Sequence, residues 1–162
     1  MTLSRAVFLG AIFAGLISPL AHAGAGHALP KDAVVQRVID GDTVQLADGQ
    51  MVRYIGIDAP EARRKVDDRW VEDPEPFAHE ATEANRRLVE GRRVRLEYDV
   101  QTHDRYGRLL SYVYVGNAMA NEELVKRGFA QPLTIPPNVK YAERFRQLTE
   151  EARREGRGLW KQ

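Results

Sequence analysis

The 162-residue chain has no cysteine. That excludes a disulfide framework, a cysteine-based zinc site and a thiol nucleophile. A charge of one dominant sign is missing too: 24 Lys and Arg face 23 Asp and Glu, a formal charge of +1. The simplest signature of a nucleic-acid-binding domain, a strongly basic whole, is therefore absent. The one long apolar run, residues 6–20, is shorter than the ~20 residues of a membrane span, and no stop-transfer pattern follows it. There is no glycine-rich phosphate loop and no nucleophile elbow for Ser/His/Asp chemistry. Asp40-Gly41-Asp42-Thr43 is not an EF-hand loop, because the run of ligands and the final Glu are lacking. His27, His79 and His103 have no metal-ligand spacing. Internal repeats and low-complexity segments are absent, so this length predicts one domain.

Residues 1–23 read as a short positive start, a hydrophobic core and a small-x-small ending, Ala21-His22-Ala23. This is the pattern of a cleavable signal peptide and predicts export, to a periplasm or the medium, with no stable membrane association once it is removed. Residues 24–33 follow as a flexible lead-in, and residues 34–162 as the folded domain. The mature chain is charge-balanced overall but not along its length. Residues 24–83 carry 7 bases and 13 acids, and residues 84–162 carry 16 bases and 10 acids. An acidic first half suits a cation and a basic second half suits an anion.

The pattern predicts strands at residues 34–39, 43–46 and 51–57, with Asp48-Gly49 as a hairpin turn between the last two. A long polar loop at residues 58–76 precedes a helix in which Phe77, Ala81, Ala84 and Leu88 recur at helical spacing. Strands at residues 93–98 and 108–115 come next. Asn121 is placed to cap a short helix bearing Leu124 and Val125 and ending at Gly128. The last helix carries Tyr141, Phe145, Leu148 and Ala152 on one stripe. The order βββ-α-ββ-α-α predicts an α+β, mainly β fold: a five-stranded Greek-key barrel of the OB type with three helices.

Several side chains are candidates for chemistry. Asp42 and Asp58 sit at strand ends, with Asp40 beside the first; turn aspartates ordinarily cap local backbone. Arg53 lies in a strand, where a guanidinium near the core needs a partner or ligand unless its stem packs and its head reaches water. Residues 53 and 58 have opposite parity, so they converge only if the strand bends, which Gly56 permits. Glu61 follows Pro60 in the turn after Asp58, and Arg108 begins a strand after Tyr106-Gly107.

Together, residues 38–44, 53–61 and 104–108, Asn121-Glu122-Glu123-Leu124-Val125 with Gly128, and Gly158-Leu159-Trp160 resemble the staphylococcal (micrococcal) nuclease family, in order over nearly the whole mature domain. The resemblance implies an OB-type barrel with three helices and calcium-dependent hydrolysis of DNA and RNA phosphodiesters to 3′-phosphate ends. It implies Ca2+ held by Asp42, Asp58 and the backbone carbonyl of Ala59, which replaces a family Thr. It also implies phosphate contacts from Arg53 and Arg108, a water-positioning or water-activating Glu61, and substrate contacts from Arg105 and Tyr106 in a monomer. The chain departs from the pattern at Leu133-Thr134-Ile135-Pro136-Pro137, where Thr134 and Pro136 replace nucleotide-contacting tyrosines. Two further functions are compatible with an exported OB domain: a non-catalytic nucleic-acid-binding module, and a periplasmic domain in polysaccharide or surface assembly.

Overall fold

Short β-branched and aromatic runs separated by glycine turns build the first half of the fold. The computed structural model describes residues 28–161; the residues read as a signal peptide and the start of the expected lead-in lie outside them. Strands β1 (Asp32–Val38), β2 (Thr43–Leu46) and β3 (Met51–Tyr54) form an antiparallel meander. β4 (Ile57–Asp58) follows, then β5 (Arg63–Val66) and β6 (Arg69–Glu72). Helix α1 (Ala78–Val89) leads to β7 (Arg93–Glu97), β8 (Leu109–Val115) and β9 (Ala118–Met119). Helix α2 (Ala120–Lys126), β10 (Gln131–Pro132), helix α3 (Ala142–Arg154) and a 3-10 turn (Gly158–Trp160) complete the chain.

β1 pairs with β2 on one side and β7 on the other, β7 with β8, and β8 closes back on β3 in parallel. The result is the expected closed five-stranded barrel with three helices. Closure needs a sharp turn in β1, and the register of β1 against β2 slips between Val35 and Arg37. That bulge lets both Val35 and Val38 point inward despite their odd spacing. The core gathers Val44, Leu46, Val52, Tyr54, Val94 and Tyr112 with Leu124 of α2 and Phe145 of α3. Both α1 and α3 bury one helical stripe, Ala78, Ala81, Asn85 and Val89 in the first and Phe145, Leu148, Thr149 and Ala152 in the second.

Four expectations need correction. β1 starts at Asp32, inside the predicted lead-in, because residues 32–34 pair with β7. The strand predicted over residues 51–57 is two pieces, broken where Gly56 takes φ +79°. The predicted loop at residues 58–76 contains the β5–β6 hairpin, a separate two-stranded sheet. Asn121 is not a cap. It lies inside α2, fully buried, and its side chain accepts from Val113 N–H at 3.0 Å and donates to Ile55 C=O at 2.9 Å. One amide thus ties β8 to the chain just before the Gly56 bend. Each of the two buried backbone groups would cost about 1–3 kcal/mol if left unpaired.

Candidate active site

The site grows from two turns at one end of the barrel. The first, Asp40-Gly41-Asp42, precedes β2 and is drawn against α1 and Ala59. A Cβ on Gly41 would lie 2.4 Å from that of Ala59 and 3.0 Å from that of Ala81, so only glycine allows the approach. The Asp40 carboxylate accepts from Asp42 N–H at 3.0 Å, and its carbonyl accepts from the Asn85 side chain at 3.1 Å. Asn85 in turn receives the Tyr54 hydroxyl at 2.9 Å inside the core. The turn is therefore anchored to both α1 and β3.

Asp42 is almost wholly buried. One oxygen accepts from the Thr43 hydroxyl at 3.1 Å; the other accepts from Ala59 N–H at 2.7 Å and lies 2.9 Å from Arg53 Nη1. Burial pushes the Asp42 carboxyl well above its ordinary range. Arg53 opposes that shift, Asp40 reinforces it, the Ala59 N–H opposes it and Asp58 again reinforces it.

Arg53 is the hub. Its Nη1 also donates to the carbonyls of Ile57 at 2.9 Å and Tyr54 at 3.1 Å, and its Nη2 pairs with Asp58 Oδ1 at 2.8 Å. The Gly56 bend makes this possible, turning residue 58 back toward residue 53 against their alternation. The Arg53 side chain is 14% exposed and is held among two carboxylates and two carbonyls, which satisfies its need for partners. Glu61 comes next along the chain. Partial burial pushes its carboxyl up, Asp40 adds to that, Arg53 pulls it down, and Asp58 and Glu75 push it up again. Those influences place Glu61 within the electrostatic reach of the Asp42–Arg53–Asp58 group.

Arg108 approaches from β8, which pairs with β3 so that Leu110 stands opposite Arg53. Asp104 holds it: one carboxylate oxygen accepts Arg108 Nε at 2.6 Å and the other accepts the backbone N–H groups of Tyr106 and Arg108 at 2.9 and 3.0 Å. Partial burial raises the Asp104 carboxyl, but these bonds outweigh it and hold the group below its ordinary value. Arg105 Nη2 donates to the Tyr106 hydroxyl at 2.6 Å, and the guanidinium lies 4.8 Å from the ring centre. Arg53, Arg105, Tyr106 and Arg108 share a cleft of about 500 Å³. Tyr106 is 68% exposed, so its ring is open to a ligand.

Of the residues singled out in the sequence, Asp42, Arg53 and Asp58 touch, Ala59 donates its N–H to Asp42, and Glu61 lies within their electrostatic reach. Arg53, Arg105, Tyr106 and Arg108 line one cleft, whose wall includes none of Asp42, Asp58 and Glu61. Asp104, the clasp on Arg108, and Asn138, which joins the cleft wall, were not singled out. Asp104 has a sequence signal, an Asp two residues before a Tyr-Gly turn. Asn138 has none: its amide exchanges two bonds of 2.8 Å with the backbone of Gln101, a partner far away in the chain. Leu133 and Ile135 line the cleft where aromatic residues were noted as missing.

Among the described residues, no three or more His, Asp or Glu side chains gather as a metal cluster. The donors at the site are nevertheless all hard oxygens: two carboxylates, Asp42 and Asp58, pair with a single guanidinium, and Asp40 acts on Asp42 electrostatically. That set is short of positive charge and fits a divalent cation bound by two carboxylates plus backbone, solvent and substrate oxygens.

The family described as staphylococcal nuclease homologue matches residues 51–162. The thermonuclease of Staphylococcus hyicus is 39% identical over 145 residues, covering 88% of this chain and 83% of the relative. That of Staphylococcus intermedius is 38% identical over 130 residues, 78% of this chain and 74% of the relative. An SPbeta prophage-derived endonuclease of Bacillus subtilis is 34% identical over 134 residues, 80% of this chain and 44% of the relative.

Proposed function

The chain belongs to the staphylococcal nuclease family and is a nuclease, and from that premise we propose that it is an exported, calcium-dependent endonuclease. It hydrolyses DNA and RNA phosphodiesters with little sequence specificity, leaves 3′-phosphate ends and acts as a monomer. The observation that carries the reading is Arg53, fixed between Asp42 and Asp58 while lining the same cleft as Arg108. Export rests on residues 1–23. Among the described residues no helix is long and apolar enough to cross a membrane.

In this reading Asp42, Asp58 and the Ala59 carbonyl hold the ion, which when bound supplies Lewis-acid and template chemistry. Arg53 and Arg108 bind the scissile phosphate. Their planar, permanently charged groups match its oxygens and gain most as negative charge builds on them. Asp104 keeps Arg108 aimed into the cleft. Glu61 orients a water molecule toward phosphorus and accepts its proton, a role suited to a carboxyl raised above its ordinary value. Attack forms the new P–O bond and breaks the bond to the 5′ oxygen, which takes up a proton from solvent and leaves as a hydroxyl while the phosphate stays on the 3′ side. Arg105 and Tyr106 hold the nucleotide by charge and by stacking.

The purified protein should nick plasmid DNA and degrade RNA with calcium and stop when a chelator is added. Arg53→Ala, Arg108→Ala and Glu61→Ala should each lose about 10²–10³-fold in kcat, with circular dichroism confirming the fold. Cleavage at the parental rate by the folded triple variant would falsify the assignment.

A further inference from the structure

The β5–β6 hairpin has no part in the cleft, and its composition is unusual for an exposed ribbon. β5 begins with Arg63-Arg64-Lys65, and β6 opens with Arg69 followed by Trp70. Trp70 is 67% exposed, and both Arg63 and Arg69 are exposed. Among the described residues the two strands pair with each other alone, in a register that sets residue 65 opposite Trp70 and residue 63 opposite Glu72, so that residues 63, 65, 70 and 72 share one face and residues 64, 66, 69 and 71 the other. Asp67 and Asp68, both with positive φ, make the tight turn at the tip, beyond the basic stretch.

The root of this ribbon is at the site. Glu61 C=O accepts from Glu75 N–H at 2.9 Å and Ala62 C=O from Asp73 N–H at 3.2 Å, so the ladder runs from Glu61 into the hairpin. Four residues of strand then extend it by ~13 Å. A two-stranded ribbon gains little from its own packing, and a Trp left in water there adds nothing to folding. Arg63 and Trp70, diagonal neighbours on one face of the ribbon, supply the two elements of a single-strand platform: charge for the backbone and a flat face for an unpaired base.

We propose that the β5–β6 hairpin is a second substrate-binding element, which grips single-stranded nucleic acid flanking the cleavage point by stacking a base on Trp70 and holding a phosphate with Arg63. The inference rests on the nuclease reading above and adds to it a binding element outside the cleft. Base-paired substrate offers Trp70 no free face, so the gain is confined to single strands.

The test uses the full chain. With chelator present, binding of a labelled single strand of about twelve nucleotides is followed by anisotropy, alongside quenching of tryptophan fluorescence. Trp70→Ala should weaken binding about tenfold and remove most of the quenching. Arg63→Ala should lower the salt slope of binding by about 0.7. With calcium, the KM penalty of Trp70→Ala should shrink as the oligonucleotide is shortened and be smaller on duplex. Unchanged binding and KM in Trp70→Ala overturn the proposal and leave the nuclease reading standing. Loss of self-association in Trp70→Ala with unchanged binding also overturns it, since a second copy then covers the ring. A parent that quenches on oligonucleotide but cleaves nothing supports the hairpin and sinks the catalytic assignment.

Discussion

At Gly56 a conformational demand and a packing demand coincide. Its φ of +79° is strained for any residue with a side chain, and a Cβ there would lie 2.5 Å from the Phe145 ring in the core. Gly56→Ala should therefore lower unfolding free energy by about 2–4 kcal/mol, combining the backbone and overpacking penalties. Urea titration reads this as a lower midpoint with an unchanged slope. The same bend returns Asp58 to Arg53, so the variant should also lose activity at temperatures where it remains folded. Equal stability and activity would mean the bend does not position the site. Alternation along one strand exposed the conflict between residues 53 and 58 and pointed to Gly56 as its solution. It did not reveal that Arg53 spans two carboxylates and two carbonyls, because Asp42 arrives from a separate turn and the carbonyls carry no side-chain signal.

Among elements, the barrel strands and the helices at residues 78–89 and 142–154 were legible because periods of two and 3.6 each persisted over a full element. The β5–β6 hairpin was not, since its charged residues show no alternation with an apolar face. Asn121 misled for a related reason: Asn before an apolar helix is a good cap, and only the tertiary fold sets Val113 and Ile55 on either side of its amide. The segment at residues 133–141 is another product of distant contacts. Glu97 on β7 accepts from Lys140 Nζ at 2.9 Å and from the Tyr141 hydroxyl at 2.8 Å, fastening the entry to α3 against the barrel. Partial burial raises the Glu97 carboxyl, but the bonds from Lys140 and Tyr141, with help from Arg95, outweigh it and bring the group below its ordinary 4.5. The native state thus favours the ionised form. Its contribution, up to about 1 kcal/mol for a pair this exposed, is present above that value and fades as pH falls through the lowered one. Glu97→Gln should therefore be less stable than the parent near neutrality, and the gap should narrow as the pH falls below 4.5. A gap that stays constant across that range would assign the loss to packing and not to charge.

For the whole molecule, the uneven charge along the sequence takes spatial form. Asp40, Asp42, Asp58 and Glu61 come from the acidic half, Arg105 and Arg108 from the basic half, and barrel closure by β3 against β8 brings the two together. Arg53 is the exception, a cation placed within the acidic group, and it leaves that group still rich in negative charge. This imbalance predicts a linkage between ion binding and folding that needs no substrate to detect. With the two carboxylates and the carbonyl proposed above as protein ligands, affinity would fall in the range of ~10⁻⁴–10⁻³ M. Calcium at ~10 mM then stabilises the native state by about 1.4–2.7 kcal/mol, or about 5–10 °C in Tm for a domain of this size. Asp42→Ala should abolish that increment whatever it does to the starting Tm, because the comparison is between the same variant with and without the ion. Asp104→Ala, which frees Arg108 but touches neither carboxylate, should keep the increment while losing cleavage. If calcium raised the Tm of Asp42→Ala as much as that of the parent, the ion would be binding elsewhere on the protein, and the carboxylate-rich end of the barrel would be no metal site.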